Sequence, residues 1–258
     1  MSPFVSMLSL CVIALFGMLV FFEIGHRIGI KRIKQDPNGL ASGIGTSEGS
    51  IFALLGLLIA FTFSGAASRF EDRRNLILEE ANDIGTAYLR IDLLAESDQA
   101  LLRDKFKQYT EQRIKIFRDP NRIEDFEKNL ALAAKMQKDI WQYAIAASKN
   151  PEAMPDAGKL LLPALNAMID ITSTRTVATR NHPPTIIYVL LFGLSLLSAT
   201  LIGYDTAANR DRAWLHKTAF ALAIILTSYI IIDFEYPRLG LIRIDTDDQV
   251  LIDTRNSM

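Results

Sequence analysis

Residues 50–68 read SIFALLGLLIAFTFSGAAS and contain no charged side chain. A helix of about 20 apolar residues crosses the roughly 30 Å hydrocarbon core of a bilayer. Three further uncharged stretches cover residues 4–22, 185–204 and 218–232. Within a bilayer each backbone polar group must find its partner in the protein, so these stretches are predicted as helices rather than strands. The sequence therefore predicts a multi-pass membrane protein with four transmembrane helices.

The four stretches are arranged two and two around a long polar segment. This pattern predicts an all-α fold with a transmembrane hairpin at 1–68, a soluble helical domain at 69–183 and a second hairpin at 184–234. A polar acidic tail follows at 235–258. The central segment carries 18 Lys and Arg against 18 Asp and Glu, so it is predicted to lie outside the membrane, inserted between spans 2 and 3.

Helical periodicity organises the central segment. Apolar residues recur every three or four positions, for example at Leu102, Phe106 and Tyr109. Alternating strand patterns with hairpin turns are missing, and turn residues cluster at 119–121 and 149–151. The predicted helices cover residues 69–95, 98–118, 121–148 and 156–180. Since neither Pro nor Gly interrupts the chain between Gly65 and Gly85, the second span is predicted to continue into the first soluble helix.

The composition argues against several classes of function. The net charge of −1 provides no basic surface for nucleic acid. The only cysteine, Cys11, has no partner for a disulfide, and no Cys/His framework for zinc is present. No phosphate-binding Gly-rich loop, Ser/His/Asp set or zinc-protease motif occurs. We therefore predict no catalytic residues, no metal site and no cofactor, and the protein is not expected to be an enzyme.

The membrane orientation stays open. Four spans place the N- and C-termini on the same side. Lys and Arg residues near the span ends are equal in number on the two sides, so the positive-inside rule does not decide between them. The uncharged N-terminus slightly favours the short loops inside and the central segment outside.

One face of the second span consists of small residues at steps of three or four. They are Gly49, Ala53, Gly56, Ala60, Ser64 and Ala67. Small residues let helix backbones approach closely in lipid. The face can pack inside one protomer, or it can belong to an inner helix that is repeated around the axis of an oligomer. In the second interpretation Thr62 and Ser64 are expected near the pore.

A polar row follows on the same predicted helix beyond the span. Its members are Glu79, Asn82, Asp83, Thr86 and Arg90, which share a face at 3.6 residues per turn. Such a row is usually a solvated surface. Gly85 costs about 0.8–1 kcal/mol relative to Ala in a helix interior, which suggests that another element packs closely there. The row is then a buried polar network or the vestibule of a pore.

Ionisable residues near the span ends are a third group of candidates, because burying charge in a membrane is expensive. They are Glu23, His26, Asp233, Glu235, Arg238 and Arg243. The first two share a helix face, either as a solvated interfacial pair or as a proton- or ion-binding pair. The last four are predicted to form an ion-pair cluster, with a structural role favoured over ion conduction.

Three segments carry a resemblance to a known family. They are EGSIFALLGLLIAFTFS at 48–64, EANDIGTAYLR at 80–90 and YPRLGLIRI at 236–244. They resemble the bacterial bestrophin-like membrane proteins, whose function is not established. The resemblance covers nearly the whole chain and implies a four-span protein of the bacterial inner membrane.

Bestrophins themselves are pentameric anion channels with an inner pore helix and cytoplasmic termini. That topology opposes the orientation that the charge distribution slightly favours. The acidic cluster that binds calcium in bestrophins has no clear match, and the acidic run at 245–248 is only a loose echo of it.

Two hypotheses for the function remain after the enzyme class is set aside. The first is a homo-oligomeric ion channel in the lipid bilayer, with the second span lining a pore for small inorganic ions. The alternative is a membrane-anchored sensor or scaffold whose helical domain binds another protein without transport. Ion identity, gating and subunit number do not follow from the sequence.

Overall fold

A computed structural model describes residues 3–36, 45–118, 123–208 and 214–258. The α-helices of these residues are, in chain order, α1 Pro3–Gln35, α2 Gly45–Leu89, α3 Glu96–Arg118, α4 Ile123–Ala147, α5 Ala157–Arg180, α6 Thr185–Asp205, α7 Trp214–Glu235 and α8 Gln249–Asn256. Short 3₁₀ helices occur at Arg90–Leu93 and Thr206–Ala208. No strand occurs within the described ranges, so the predicted all-α fold is confirmed.

Four helical segments are long and apolar enough to cross a membrane. They are Ser9–Gln35, Ser47–Leu93, Ala157–Asp205 and Trp214–Glu235. Each overlaps one of the apolar stretches of the sequence, so the prediction of four candidate spans is confirmed. The fourth stretch has only 15 uncharged residues, but α7 has 22 residues, or about 33 Å of helix, which is enough to cross the hydrocarbon core.

The helix boundaries follow the sequence signals closely. The second span does continue without interruption, since α2 runs for 45 residues from Gly45 to Leu89. The break expected at 182–184 lies between the end of α5 and the start of α6. Helix α3 begins two residues earlier than predicted, at Glu96. The turn predicted at 119–121 lies outside the described residues.

The chain divides into two compact units. The first combines Met1–Phe70 with His182–Ile242, and the second combines Glu71–Asn181 with Arg243–Met258. Helix α2 begins in the first unit and ends in the second. Helix α8 belongs to the second unit and buries Leu251; the sequence pattern of the polar tail did not predict this helix.

In the first unit, α1 packs closely along α6 at a crossing that only glycine permits. A Cβ atom at Gly25 would overlap the carbonyl oxygen of Thr200, and a Cβ atom at Gly203 would overlap the carbonyl oxygen of Phe22. The two backbones therefore touch directly, as small residues allow in membrane proteins. Beside the crossing, Met18 and Phe22 are buried in an apolar cluster.

Contacts along the helices of the first unit give their directions. Phe52 of α2 packs edge-on against Phe220 of α7, with ring centroids 6.1 Å apart, and Phe63 packs against Phe234 at 5.7 Å. Residue numbers thus rise together, so α2 and α7 run in the same direction. The contacts of α1 with α6 rise together in the same way. The predicted two-and-two arrangement requires these directions, and it stays a prediction.

In the second unit, the helical periodicity of the sequence marks the core. Leu102, Phe106 and Tyr109 of α3 are fully buried. In α4 the predicted apolar positions Ala133, Ile140, Ala144 and Ala147 are buried as well, while Phe126 and Leu130 are half-buried. The predicted core faces of both helices are confirmed.

The α1–α6 crossing makes a prediction about stability. Replacing Gly203 by Ala inserts a methyl group into backbone atoms, and overpacking of this kind costs about 1–3 kcal/mol. We expect the apparent Tm of the purified protein, followed by circular dichroism in detergent, to fall. Gly193→Ala on the same helix is the matched control, because a Cβ there meets open space, and its Tm should not fall. Equal melting of the two variants would contradict the crossing.

Candidate functional site

The small-residue face of α2 is uncovered in the first unit. Gly49, Ala53, Gly56, Ala60 and Ser64 are all exposed. At both Gly49 and Gly56, an added Cβ would meet no atom within 4 Å among the described residues. No described residue therefore packs closely on Gly49 or Gly56, although Gly56 lines a cavity with Ile202 of α6 and Phe220 of α7. Packing inside one protomer and packing around the axis of an oligomer both stay predictions.

Thr62 does not belong to this face. It is only 6% exposed, and its hydroxyl donates to the carbonyl oxygen of Leu58 at 2.7 Å. Two residues correspond to about 200° around a helix, so Thr62 points to the opposite side from Ala60 and Ser64. Its expected position beside Ser64 near a pore is wrong for this reason.

The polar row of α2 is also largely uncovered in the second unit. Glu79, Asn82 and Thr86 are exposed, while Asp83 is half-buried. Arg90 lies beyond the end of α2, in the 3₁₀ helix, and donates to the carbonyl oxygen of Leu160 at 2.6 Å. Within the single chain the row is a polar surface rather than a buried network.

The close packing expected at Gly85 is weaker than the sequence suggested. The nearest atom to an added Cβ is Cγ2 of Thr254 in α8, at 3.9 Å. This distance is ordinary van der Waals contact, so an alanine would fit there. The structure thus gives no steric reason for glycine at this position.

A buried ion cluster lies on the other side of α2. The carboxylate of Glu80, which is completely buried, accepts hydrogen bonds from the guanidinium groups of Arg113 in α3 and Arg175 in α5. A second bond joins Arg113 Nη2 to Glu80 Oε2 at 3.1 Å. Arg175 also donates from Nη2 to Asp248 Oδ1 at 3.4 Å. One carboxylate therefore connects three helices of the second unit.

The surroundings of this cluster favour a charged Arg113 beside neutral polar groups. Burial would lower the pKa of Arg113, but the carboxylate of Glu80 outweighs burial and raises that pKa above its ordinary value. Burial raises the pKa of the neighbouring Tyr109, so the phenol stays neutral. Gln137 donates to the Tyr109 hydroxyl at 3.0 Å and to Thr172 Oγ1 at 3.1 Å. Arg113 is thus held as a buried cation beside a neutral polar network.

The polar row predicted from the sequence includes Glu79 but not the adjacent Glu80. The missed signal is the position of Glu80 on the apolar stripe of α2, three residues after Ile77 and four before Ile84, both fully buried. Arg113 likewise follows Tyr109 on the apolar stripe of α3. A charge on an apolar stripe predicts a buried ion pair, since an isolated buried charge is too costly.

The side chain of Asp233 binds the backbone of the loop after α7 and forms no ion pair with any described residue. Its fully buried carboxylate accepts hydrogen bonds from the backbone N–H of Leu241, at 3.1 Å, and of Ile242, at 2.9 Å. The carboxylate also occupies the space that a Cβ at position 240 would need, which requires Gly240. The predicted pairing of Asp233 with arginine is wrong, because backbone amides take that role.

Glu235 has partners that the sequence did not predict. Arg69 of α2 donates to Glu235 Oε1 from Nε at 2.8 Å and from Nη2 at 2.5 Å. His182 Nδ1 lies 3.2 Å from Glu235 Oε2, and its ring stacks on Tyr236 with centroids 4.6 Å apart. The buried carboxylate is therefore paired within the first unit, which supports a structural role for this cluster.

The remaining predicted charges are at the surface or nearly so. Arg238 is half-buried in the loop after α7, and Arg243 is exposed and pairs with Asp245 at 2.6 Å. Glu23 accepts from Arg27 Nε at 2.7 Å, one turn further along α1, and does not pair with His26. The shared helix face of Glu23 and His26 therefore does not produce a pair.

Each aspartate of the acidic run at 245–248 pairs with an arginine. Asp245 pairs with Arg243 at 2.6 Å, and Asp247 accepts two bonds from Arg74 at 3.1 and 3.2 Å. Asp248 pairs with Arg175. Within the described ranges no group of three or more His, Cys, Asp or Glu residues could hold a metal ion.

Comparisons with known proteins support the fold. The family model of the Bestrophin-like domain matches residues 11–249, and no match was found among curated proteins. A crystal structure of a membrane protein superposes on the chain with a TM-score of 0.68 at 14% sequence identity. The alignment covers 94% of this chain and 98% of the other. At that identity the likeness shows the fold alone.

The buried cluster makes a prediction about stability. Replacing Glu80 by Gln leaves two buried guanidinium groups without their carboxylate, and loss of one partner of a buried ion pair costs about 3–5 kcal/mol. For a chain of this size we expect the apparent Tm to fall by roughly 6–20 °C. The neighbouring exposed Glu79→Gln is the matched control and should melt like the wild type. A small loss for Glu80→Gln would mean that solvent reaches the cluster.

Proposed function

The chain belongs to the bestrophin-like family, and from that premise we propose that it is a homo-oligomeric ion channel of a bacterial inner membrane. In this proposal α2 lines the pore. The observation that carries it is the exposed face of α2 formed by Gly49, Ala53, Gly56, Ala60 and Ser64. This face lies in a candidate membrane span.

Packing in lipid explains why the uncovered face points to a second copy. Lipid chains are as apolar as the helices, so helices associate in a membrane through close packing, which small residues permit. Within the described residues no helix of the same chain uses Gly49 or Gly56 for such an approach. In this proposal the partners are symmetric copies of α2, by analogy with soluble oligomers of one chain, most of which have closed symmetry.

The exposed face continues along α2 beyond the span. At steps of three or four residues the exposed positions after Ser64 are Ser68, Asp72, Asn75, Glu79, Asn82 and Thr86. The residues before Ser64 are small and mostly apolar, whereas those after it are polar or acidic. This change supports a pore that is narrow and apolar within the membrane and has a hydrated mouth formed by the polar row.

The charge of the mouth favours cations. Asp72 and Glu79 are exposed carboxylates on this stripe, and rings of carboxylates select cations in channels. Arg90 is the first basic residue after Glu79 along the chain, and its guanidinium group donates a hydrogen bond to the carbonyl oxygen of Leu160. We therefore propose small inorganic cations as the transported ions, in contrast to the anions that a resemblance to bestrophins implies.

Assembly through the small-residue face is testable with a matched pair of substitutions. Gly56→Leu places a branched side chain on the face, and we expect native mass measurement in detergent to show fewer subunits per particle than in the wild type. Gly193→Leu is the control, since Gly193 is also exposed in a span and has no neighbour within 4 Å. An intact oligomer for Gly56→Leu would exclude this contact.

Conduction is testable with purified protein in liposomes and planar bilayers. We expect ion flux with a preference for cations, and Glu79→Gln should lower the ratio of cation to anion permeability, most clearly at low salt, where screening is weak. Glu96→Gln removes an exposed carboxylate of α3 and should leave the ratio unchanged. If no common ion passes and another protein co-purifies, the scaffold hypothesis replaces the channel.

A further inference from the structure

An apolar cavity lies among α1, α6 and α7 of the first unit. Its volume is about 480 Å³, within the 300–1,000 Å³ of typical ligand pockets. Leu10 and Met18 of α1, Phe192 of α6 and Ile225 of α7 are among its lining residues. All three helices are candidate membrane spans, so the medium around the cavity is lipid.

The lining of the cavity is unsuited to water or ions. A buried water needs two to four polar partners. The hydroxyl of Ser195, which is buried at the wall, already donates to the carbonyl oxygen of Leu191 at 2.7 Å. The other lining residues with a polar group are Cys11, Tyr188, Ser228 and Tyr236, and the rest of the lining is apolar. An occupant of this space is therefore a hydrocarbon, and the bilayer supplies hydrocarbon at this depth.

The two ends of the cavity differ in chemistry. Helices α1 and α6 run in the same direction, so the early residues Leu10 and Tyr188 lie towards one end, together with Tyr236 after the end of α7. At this end Tyr236, which is 41% exposed, stacks on His182. His182 and Arg69 both contact Glu235 there. Aromatic and basic side chains are typical of the level of lipid headgroups.

We propose that this cavity binds an acyl chain of a bilayer phospholipid. The terminal methyl group lies deep, near Met18, and the ester and headgroup lie at the Tyr236 end. A phospholipid fits both observations, since one of its ends is purely apolar and the other is polar. The site is separate from the exposed face of α2, and it does not depend on whether the protein conducts ions.

Retention of lipid by the purified protein tests the proposal. Native mass measurement of the detergent-purified wild type should show about one bound phospholipid per chain. Ala14→Phe fills the cavity from its wall, and we expect at least fivefold less bound phospholipid. Ala223→Phe makes the same change at an exposed position of α7 outside the lining and should retain lipid like the wild type. Equal retention by Ala14→Phe and Ala223→Phe would overturn the proposal.

Photocrosslinking in wild-type protein keeps the test independent of how well the Ala14 variant folds. In phospholipid vesicles, a phospholipid with a photoactivatable group at the end of its acyl chain should label peptides containing Met18 or Ile225. A probe beside the ester should label peptides containing Tyr188 or Tyr236. The labelled residue is located by fragment-ion sequencing, since Ile225 and Leu226 share a peptide. Labelling of the two sets in the reverse order, or labelling equal to that of the exposed Leu222 and Leu226, would exclude an acyl chain bound in this orientation.

Discussion

The cost of burying charge is the constraint on which the second unit depends. Glu80 is fully buried and is tolerable there only because Arg113 and Arg175 bring two guanidinium groups to its carboxylate. These bonds hold α2, α3 and α5 in one register, since a shift of any helix would leave a charge without its partner. Asp248, bonded to Arg175, brings the segment before α8 into the same arrangement.

The first unit has a buried carboxylate of its own, Glu235, which pairs with Arg69 from 166 residues away in the chain. Its helices approach through Gly25 and Gly203, and the buried carboxylate of Asp233 is satisfied locally by backbone amides. The small residues of α2 remain exposed in the protomer. Assembly and transport are proposed at this exposed face, because small residues in a membrane span permit close packing of helices.

Hydropathy and helical periodicity predicted the spans and most helices, because the length of an apolar stretch and the spacing of residues such as Phe106 are direct consequences of helix geometry. The partners of the charged residues were harder to predict. Asp233 binds the backbone of Leu241, and a backbone amide has no signature in sequence. Glu80 was identifiable from its position between Ile77 and Ile84, but polar neighbours drew attention to the adjacent face. The pairing of Asp233 with arginine was predicted because the two are close in sequence, and it failed because a backbone amide takes the place of the arginine.

The spacing of the ion cluster along the chain has a consequence for biosynthesis. Glu80 meets Arg113 across 33 residues and Arg175 across 95, and contacts of such separation close slowly. Chains emerge from the ribosome N-terminus first, so α1 and α2 exist before either arginine-bearing helix is complete. The approach of Gly25 to Thr200 and of Gly203 to Phe22 waits still longer. The ion cluster of the second unit and the helix crossing of the first unit are thus completed only after most of the chain has been synthesised.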